Sequence, residues 1–110
     1  MSAVAQPDPA IPGNYRVAIS VNARDLQFDL KNSRRTAKLL LATRLESSKD
    51  KNVKTSSIAI SVPEDQFQTA LTRGIPLTST LAGTAGDRLR IVVQDQTTGF
   101  AGALWLPLLP

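Results

Sequence analysis

From Tyr15 onward the chain settles into a two-residue rhythm. Tyr15, Val17, Ile19 and Val21 share one parity, with Arg16, Ala18 and Ser20 between them. A period of two predicts a strand with one face buried. "LQFDL" repeats the pattern through Leu26, Phe28 and Leu30, and "KNSRR" then predicts a reversal, because Asn32 and Ser33 can hydrogen-bond their own backbone. "TAKLLLATRLES" is the richest core candidate. Ala37, Leu39, Leu41, Thr43 and Leu45 fall on one face, while Leu40 and Ala42 on the other suggest a central strand covered on both sides. After the polar turn "SSKDKN", Ile58, Ile60 and Val62 point inward from a fourth strand.

One segment breaks the rhythm. In "SVPEDQFQTALTRG", Phe67, Ala70 and Leu71 recur at helical spacing, with Glu64 and Asp65 at the start and Arg73 at the end, as the helix dipole favours. Gly74 suits the residue that closes a helix. Ser61 and Glu64 fit a capping box, but Val62 precedes a proline and resists helical angles, so the helix is expected to span Pro63–Arg73. Beyond it, Ile75, Leu77 and Leu81 mark a fifth strand, and Arg88–Gln94 and the terminal apolar run form a closing hairpin. About seven strands, short turns and one short helix predict an all-β fold. The expected architecture is an antiparallel sandwich of the immunoglobulin or fibronectin III kind, spanning residues 14–110. Residues 1–13, with Pro7, Pro9 and Pro12 and no alternation, read as a proline-rich linker.

The final hairpin also sets the place of Trp105, the one tryptophan of the chain. With "QTTG" as the loop, Asp95 faces Phe100, Ile91 faces Leu104 and Arg90 faces Trp105. Leu89, Ile91, Val93, Leu104 and Leu106 then share the core face, and Trp105 lies outside. A slip of one residue would exchange Trp105 and Leu104. The first register buries the more consistent aliphatic set and is the one expected.

Composition narrows the chemistry. The 110 residues are enough for one domain, and they include no cysteine and no histidine. Disulfides, thiolate metal sites, Ser-His and Cys-His nucleophile pairs and histidine-based zinc sites are therefore excluded, and no enzyme activity or cofactor is expected. Thirteen lysines and arginines against nine acids give a formal charge of +4, which favours acidic partners through long-range attraction. The opening "MSAVAQPDPAIPGN" lacks the basic and apolar regions of a signal peptide, and no apolar run approaches the ~20 residues of a membrane span, so no membrane insertion is expected.

"LRIVVQDQTTGFAG" resembles the last hairpin of the C-terminal domain in bacterial von Willebrand factor A-related proteins. Asp95, Thr98, Gly99 and Gly102 occupy the places of that hairpin's aspartate, "TG" turn and second glycine. "SIAISVPEDQFQTALTRGIPLTSTL" is similar to the family's strand, short helix and strand, and "SVNARDLQFDL" to its early strands. Two departures stand out: "SSKDKN" lacks the family's aspartate-to-glycine turn, and Trp105 replaces a small or polar residue. The resemblance implies an exported, extracytoplasmic protein in which such a module follows a von Willebrand A domain. No D-x-S-x-S metal-adhesion motif is present here, so that activity is not implied.

Each polar cluster has a structural reading beside a functional one. Asp95, Gly99 and Gly102 suit a turn: the carboxylate bonds turn amides, Gly99 supplies positive φ and Gly102 allows a bulge or close approach. Asp50 and Asn52 sit among Lys49, Lys51 and Lys54, which repel the calcium their spacing suggests. Glu64 and Asp65 suit a helix start better than acid/base catalysis. Lys31, Arg34, Arg35 and Lys38 form a basic patch that could meet phosphate or an acidic glycan, but few aromatics accompany them, so no nucleic acid is expected, and guarding a sheet edge is the simpler role. Trp105 with Arg90 and Arg88 is the candidate contact surface. The expected role is a non-catalytic module serving as scaffold or docking on a protein partner or a neighbouring domain of the same chain. The alternative is binding of a carbohydrate or envelope polymer through Trp105 and nearby basic residues.

Overall fold

A computed structural model describes residues 1–47 and 54–110; the proposed turn residues Lys49, Asp50, Lys51 and Asn52 lie outside the described residues. Among the described residues, eight strands form two antiparallel sheets. The first sheet holds β1 (Ser2–Pro7), β2 (Asn14–Val21) and β6 (Ile75–Ala82), in the order β1-β2-β6. The second holds β3 (Asp29–Lys31), β4 (Arg34–Leu45), β5 (Lys54–Pro63), β7 (Arg88–Asp95) and β8 (Ala101–Pro107). There β4 is central. It pairs with β5 along one edge, and with the short β3 and then β7 along the other, and β8 adds to β7.

Alternation explains how the two sheets meet. Tyr15, Val17, Ile19, Val21, Ile75 and Leu77 of the first sheet join Ala37, Leu39, Leu41, Ile60, Leu89, Ile91 and Val93 of the second in a single buried cluster. Leu39 and Ile91 are fully buried, as is Leu108 beyond β8. Leu40 and Ala42, on the other face of β4, are only half-buried: the strand is central in its sheet, flanked on both edges, but among the described residues no second layer covers its outer face, so the expected cover on both sides is not met. Tyr15 lies in the core yet keeps its hydroxyl satisfied by donating to the Leu109 carbonyl at 3.0 Å.

Four expectations need correction. Residues 1–13 are not an unstructured linker: β1 pairs along its whole length with β2, from Ser2 opposite Ser20 to Pro7 opposite Tyr15. The inward positions are Ala3 and Ala5, which pack against the core but are too small to mark a hydrophobic period. Pro7 is tolerated because it stands at the end of an edge strand, where a missing donor matters least. The connection to β2 is a tight turn rather than free chain, with the Asp8 amide donating to the Asn14 carbonyl at 2.8 Å.

The second correction concerns Leu26–Leu30. Only Asp29–Lys31 is strand; before it runs a 3₁₀ turn, Ala23–Asp25, capped by the Asn22 side chain, which accepts from the Arg24 amide at 3.0 Å. Leu26 and Phe28 still reach the core, while Leu30 is exposed. The alternation there reflects a loop dipping inward. By contrast, Asn32 and Ser33 make the expected reversal, both at positive φ (53° and 61°), between β3 and β4.

Third, Pro63 is extended (φ −55°, ψ 142°) and ends β5, so the helical segment begins with a 3₁₀ turn at Glu64–Gln66 and continues as α1 (Phe67–Arg73). Gly74 closes α1 as expected, at φ 84°. Fourth, Gly102 introduces no bulge: the β7–β8 ladder runs unbroken through Val93 opposite Gly102. A Cβ there would meet only the Met1 side chain, at an ordinary 3.7 Å.

Candidate interaction face

The outer face of the second sheet gathers most of the polar side chains singled out above. The β7–β8 register sets Arg90 opposite Trp105 and Ile91 opposite Leu104, which turns the indole outward. Trp105 keeps 38% of its surface exposed, in contrast to the fully buried Ile91 on the other face of the same hairpin. The Arg88 and Arg90 guanidinium carbons lie 4.9 and 5.3 Å from the Trp105 ring centroid. At that range the electron-rich ring attracts a cation. Arg88 is also held by Glu46, through two charged hydrogen bonds of 2.7 Å each. Those bonds hold the Glu46 carboxyl below its ordinary range and raise Arg88. Asp87 is likewise lowered, chiefly by the Ser47 hydroxyl that donates to it.

The basic patch does not act as one unit. Arg35 shares its parity with the buried Ala37 and turns toward the helix, where it forms a bidentate pair with Glu64 at 2.6 and 3.0 Å. Its guanidinium also sits 4.9 Å from the Phe67 centroid, and Phe67 meets Phe28 edge-on at 5.1 Å. Glu64 is therefore an ion-pair partner, and its pKa falls because Arg35 donates to it. Arg34 takes the opposite face and donates to the Ser61 side chain and carbonyl on β5. Lys31 and Lys38 are exposed on that outer face too, Lys31 directly across from Arg34.

Sequence reasoning missed Arg44. It lies on β4 directly opposite Arg90, so Arg44, Arg90 and Trp105 form one row across three strands. Between this row and Lys38 the face carries Leu40, Ala42, Val92 and Ala103, with the polar Gln94 directly opposite Leu40. A shallow depression of about 190 Å³ is lined by Ala42, Thr43, Arg44, Arg90 and Val92. Arg44 shares a parity with Lys38 and Leu40 in the sequence, but its meeting with Arg90 depends on pairing between distant strands, which no local pattern specifies.

Asp95 is buried at 1% exposure and does what the turn reading asks, accepting from the Thr97 amide at 2.8 Å. It also accepts from the Gln27 amide at 2.7 Å, which ties the closing hairpin to the loop before β3. Gly99 supplies the positive φ of 79°.

A larger hollow of about 560 Å³ opens between α1, β5 and β6, lined mainly by Ile60, Val62, Ala70 and Ile75, with Arg73 its one charged side chain. Among the described residues no group of three carboxylates could hold a metal ion, and no helix is long and apolar enough to cross a membrane. Comparison with protein-family models, curated proteins and solved structures finds no match.

Proposed function

We propose that this chain is a non-catalytic β-sandwich module of a larger exported bacterial protein, and that it serves as scaffold and docking surface for a neighbouring domain or protein partner. The observation that carries this reading is Trp105, partly exposed on the outer sheet face with the Arg88 and Arg90 guanidinium groups over its ring. Large aromatics and arginines are the residues that most often anchor protein contacts.

The finer fold assignment belongs to the same proposal. A three-stranded β1-β2-β6 sheet against β5-β4-β7-β8 supports a fibronectin III-like arrangement, with β3 as an addition to it. The antibody-type disulfide is impossible here, since the chain has no cysteine. Relation to the C-terminal domain of von Willebrand factor A-related proteins, and with it an extracytoplasmic location, rests on the hairpin residues Asp95, Thr98, Gly99 and Gly102 and on the strand, helix and strand at Ser57–Leu81.

Binding of a glycan is the weaker alternative. A sugar ring stacks on an open aromatic face, and two guanidinium groups already lie against Trp105. The test joins the module to the domain encoded beside it in its parent gene. Trp105→Ala is expected to weaken their association at least tenfold while leaving the circular dichroism unchanged. Unaltered association would overturn the docking role, and an adjoining glycosidase domain would turn the reading toward glycans.

A further inference from the structure

Arg44 and Arg90 stand directly opposite each other on adjacent antiparallel strands. Like charges in that position repel, and strands ordinarily avoid it. Among the described residues no acid lies within ion-pair distance of either one: Glu46 bonds Arg88 and feels Arg44 only at longer range, Glu64 is taken by Arg35, and Asp8 lies beside Arg16 on the first sheet. Beside the two arginines is the 190 Å³ depression, whose floor includes Ala42 and Val92. Trp105 closes the row on the far side of Arg90. The result is a pair of forked cations next to a small apolar hollow.

We infer that this end of the outer face is a carboxylate-binding site, which takes an acidic side chain and an adjacent aliphatic one from a protein partner. The inference rests on the docking role proposed above and gives it a chemistry. A carboxylate between Arg44 and Arg90 relieves their repulsion and accepts from both guanidinium forks. The neighbouring aliphatic group fills the depression over Ala42 and Val92. Lys38 lies roughly 20 Å further along β4, at the rise of an extended strand, and offers a second cation beyond Leu40. A protein face that alternates acid and aliphatic groups matches this layout. A membrane surface fits it less well, because Trp105 lies within β8 under two guanidinium groups instead of projecting from a loop.

The test is a titration of the full chain at low salt with two capped pentapeptides, one of sequence serine-glutamate-serine-leucine-serine, which puts acid and aliphatic group on one face of an extended chain, and the other with glutamine in place of glutamate. Trp105 emission and titration calorimetry read the binding. The glutamate peptide is expected to bind saturably and to weaken with added salt, while the glutamine peptide binds at least tenfold more weakly. Arg44→Gln and Arg90→Gln should each weaken the glutamate peptide about tenfold, and Arg24→Gln, on the 3₁₀ turn after β2, should leave it unchanged. Arg44→Lys, which keeps the charge and loses the fork, provides a mild variant should the glutamine forms fold poorly, and it too should bind more weakly than the parent.

Equal binding of the two peptides, full affinity in the Arg44 variants, or silence in both readouts at millimolar glutamate peptide would sink the inference. So would phosphatidylglycerol vesicles that shift Trp105 emission where the peptide does not. If association with the adjoining domain needs Trp105 but not Arg44, the docking face stands and the carboxylate site falls. If it needs neither, both fall.

Discussion

Individual residues divide sharply into those that hold the fold and those that face outward, and substitution should separate them. Leu39 is fully buried between the sheets, so Leu39→Ala should cost about 2–5 kcal/mol in urea unfolding. Trp105→Ala, on the outer face, should cost about 1 kcal/mol or less in the same measurement. Native Trp105 emission should be red-shifted and readily quenched by acrylamide; blue-shifted, protected emission would place the indole in the core. Asp95 is the polar counterpart of Leu39. Removing its carboxylate strands the Gln27 and Thr97 amides, and Asp95→Ala should destabilise by about 1–3 kcal/mol.

At the scale of elements, α1 and β1 make the most telling tests. Gly74 ends α1 at φ 84° and ψ 171°, a region that glycine alone enters readily. A Cβ there would come within 2.6 Å of Ser20 Oγ and 3.2 Å of the Val21 carbonyl. Gly74→Ala should therefore cost about 1–3 kcal/mol, seen as a lower denaturation midpoint. Deleting Met1–Pro7 removes β1 and uncovers the edge of β2, so the melting temperature should fall by several degrees and β2 amides should exchange faster; an unchanged melting curve would contradict the pairing. The same elements mark the limits of what the sequence disclosed. The β7–β8 register was legible because a four-residue loop joins strands of strong alternation, and β4 because Leu39, Leu41 and their neighbours fill both faces. β1 was not, since Ala3 and Ala5 carry too little apolar surface to reveal a period. Phe28 misled in the opposite direction, because a loop residue that packs on Phe67 leaves the same local trace as a strand residue. Of the candidate site, Trp105 and Arg90 could be paired in advance; Arg44 could not, since β4 and β7 meet only in the folded chain.

Across the whole molecule, charge acts gently. Glu46 and Glu64 have lowered pKa values because arginines donate to them, so their contribution to stability is full above the unfolded carboxyl range near 4.5 and fades as pH falls through the lower folded values. Both groups are exposed, so the loss should be small and should shrink further in salt. With no histidine in the chain, stability should stay nearly level between about pH 5.5 and 7.5 in a denaturant series; a marked slope there would point to a titrating group that the fold does not explain. The pairing of β2 with β6 bears on how the molecule assembles. Within this module the β1–β2 hairpin is made before the other strands, yet Val17, Ile19 and Val21 find their β6 neighbours only after the chain has passed through β3, β4, β5 and α1. Such distant pairing slows folding, toward milliseconds to seconds for all-β domains. Until β6 arrives, Val17, Ile19 and Val21 lack the strand that completes their sheet, and the free edge of β2 is open to pairing with another chain.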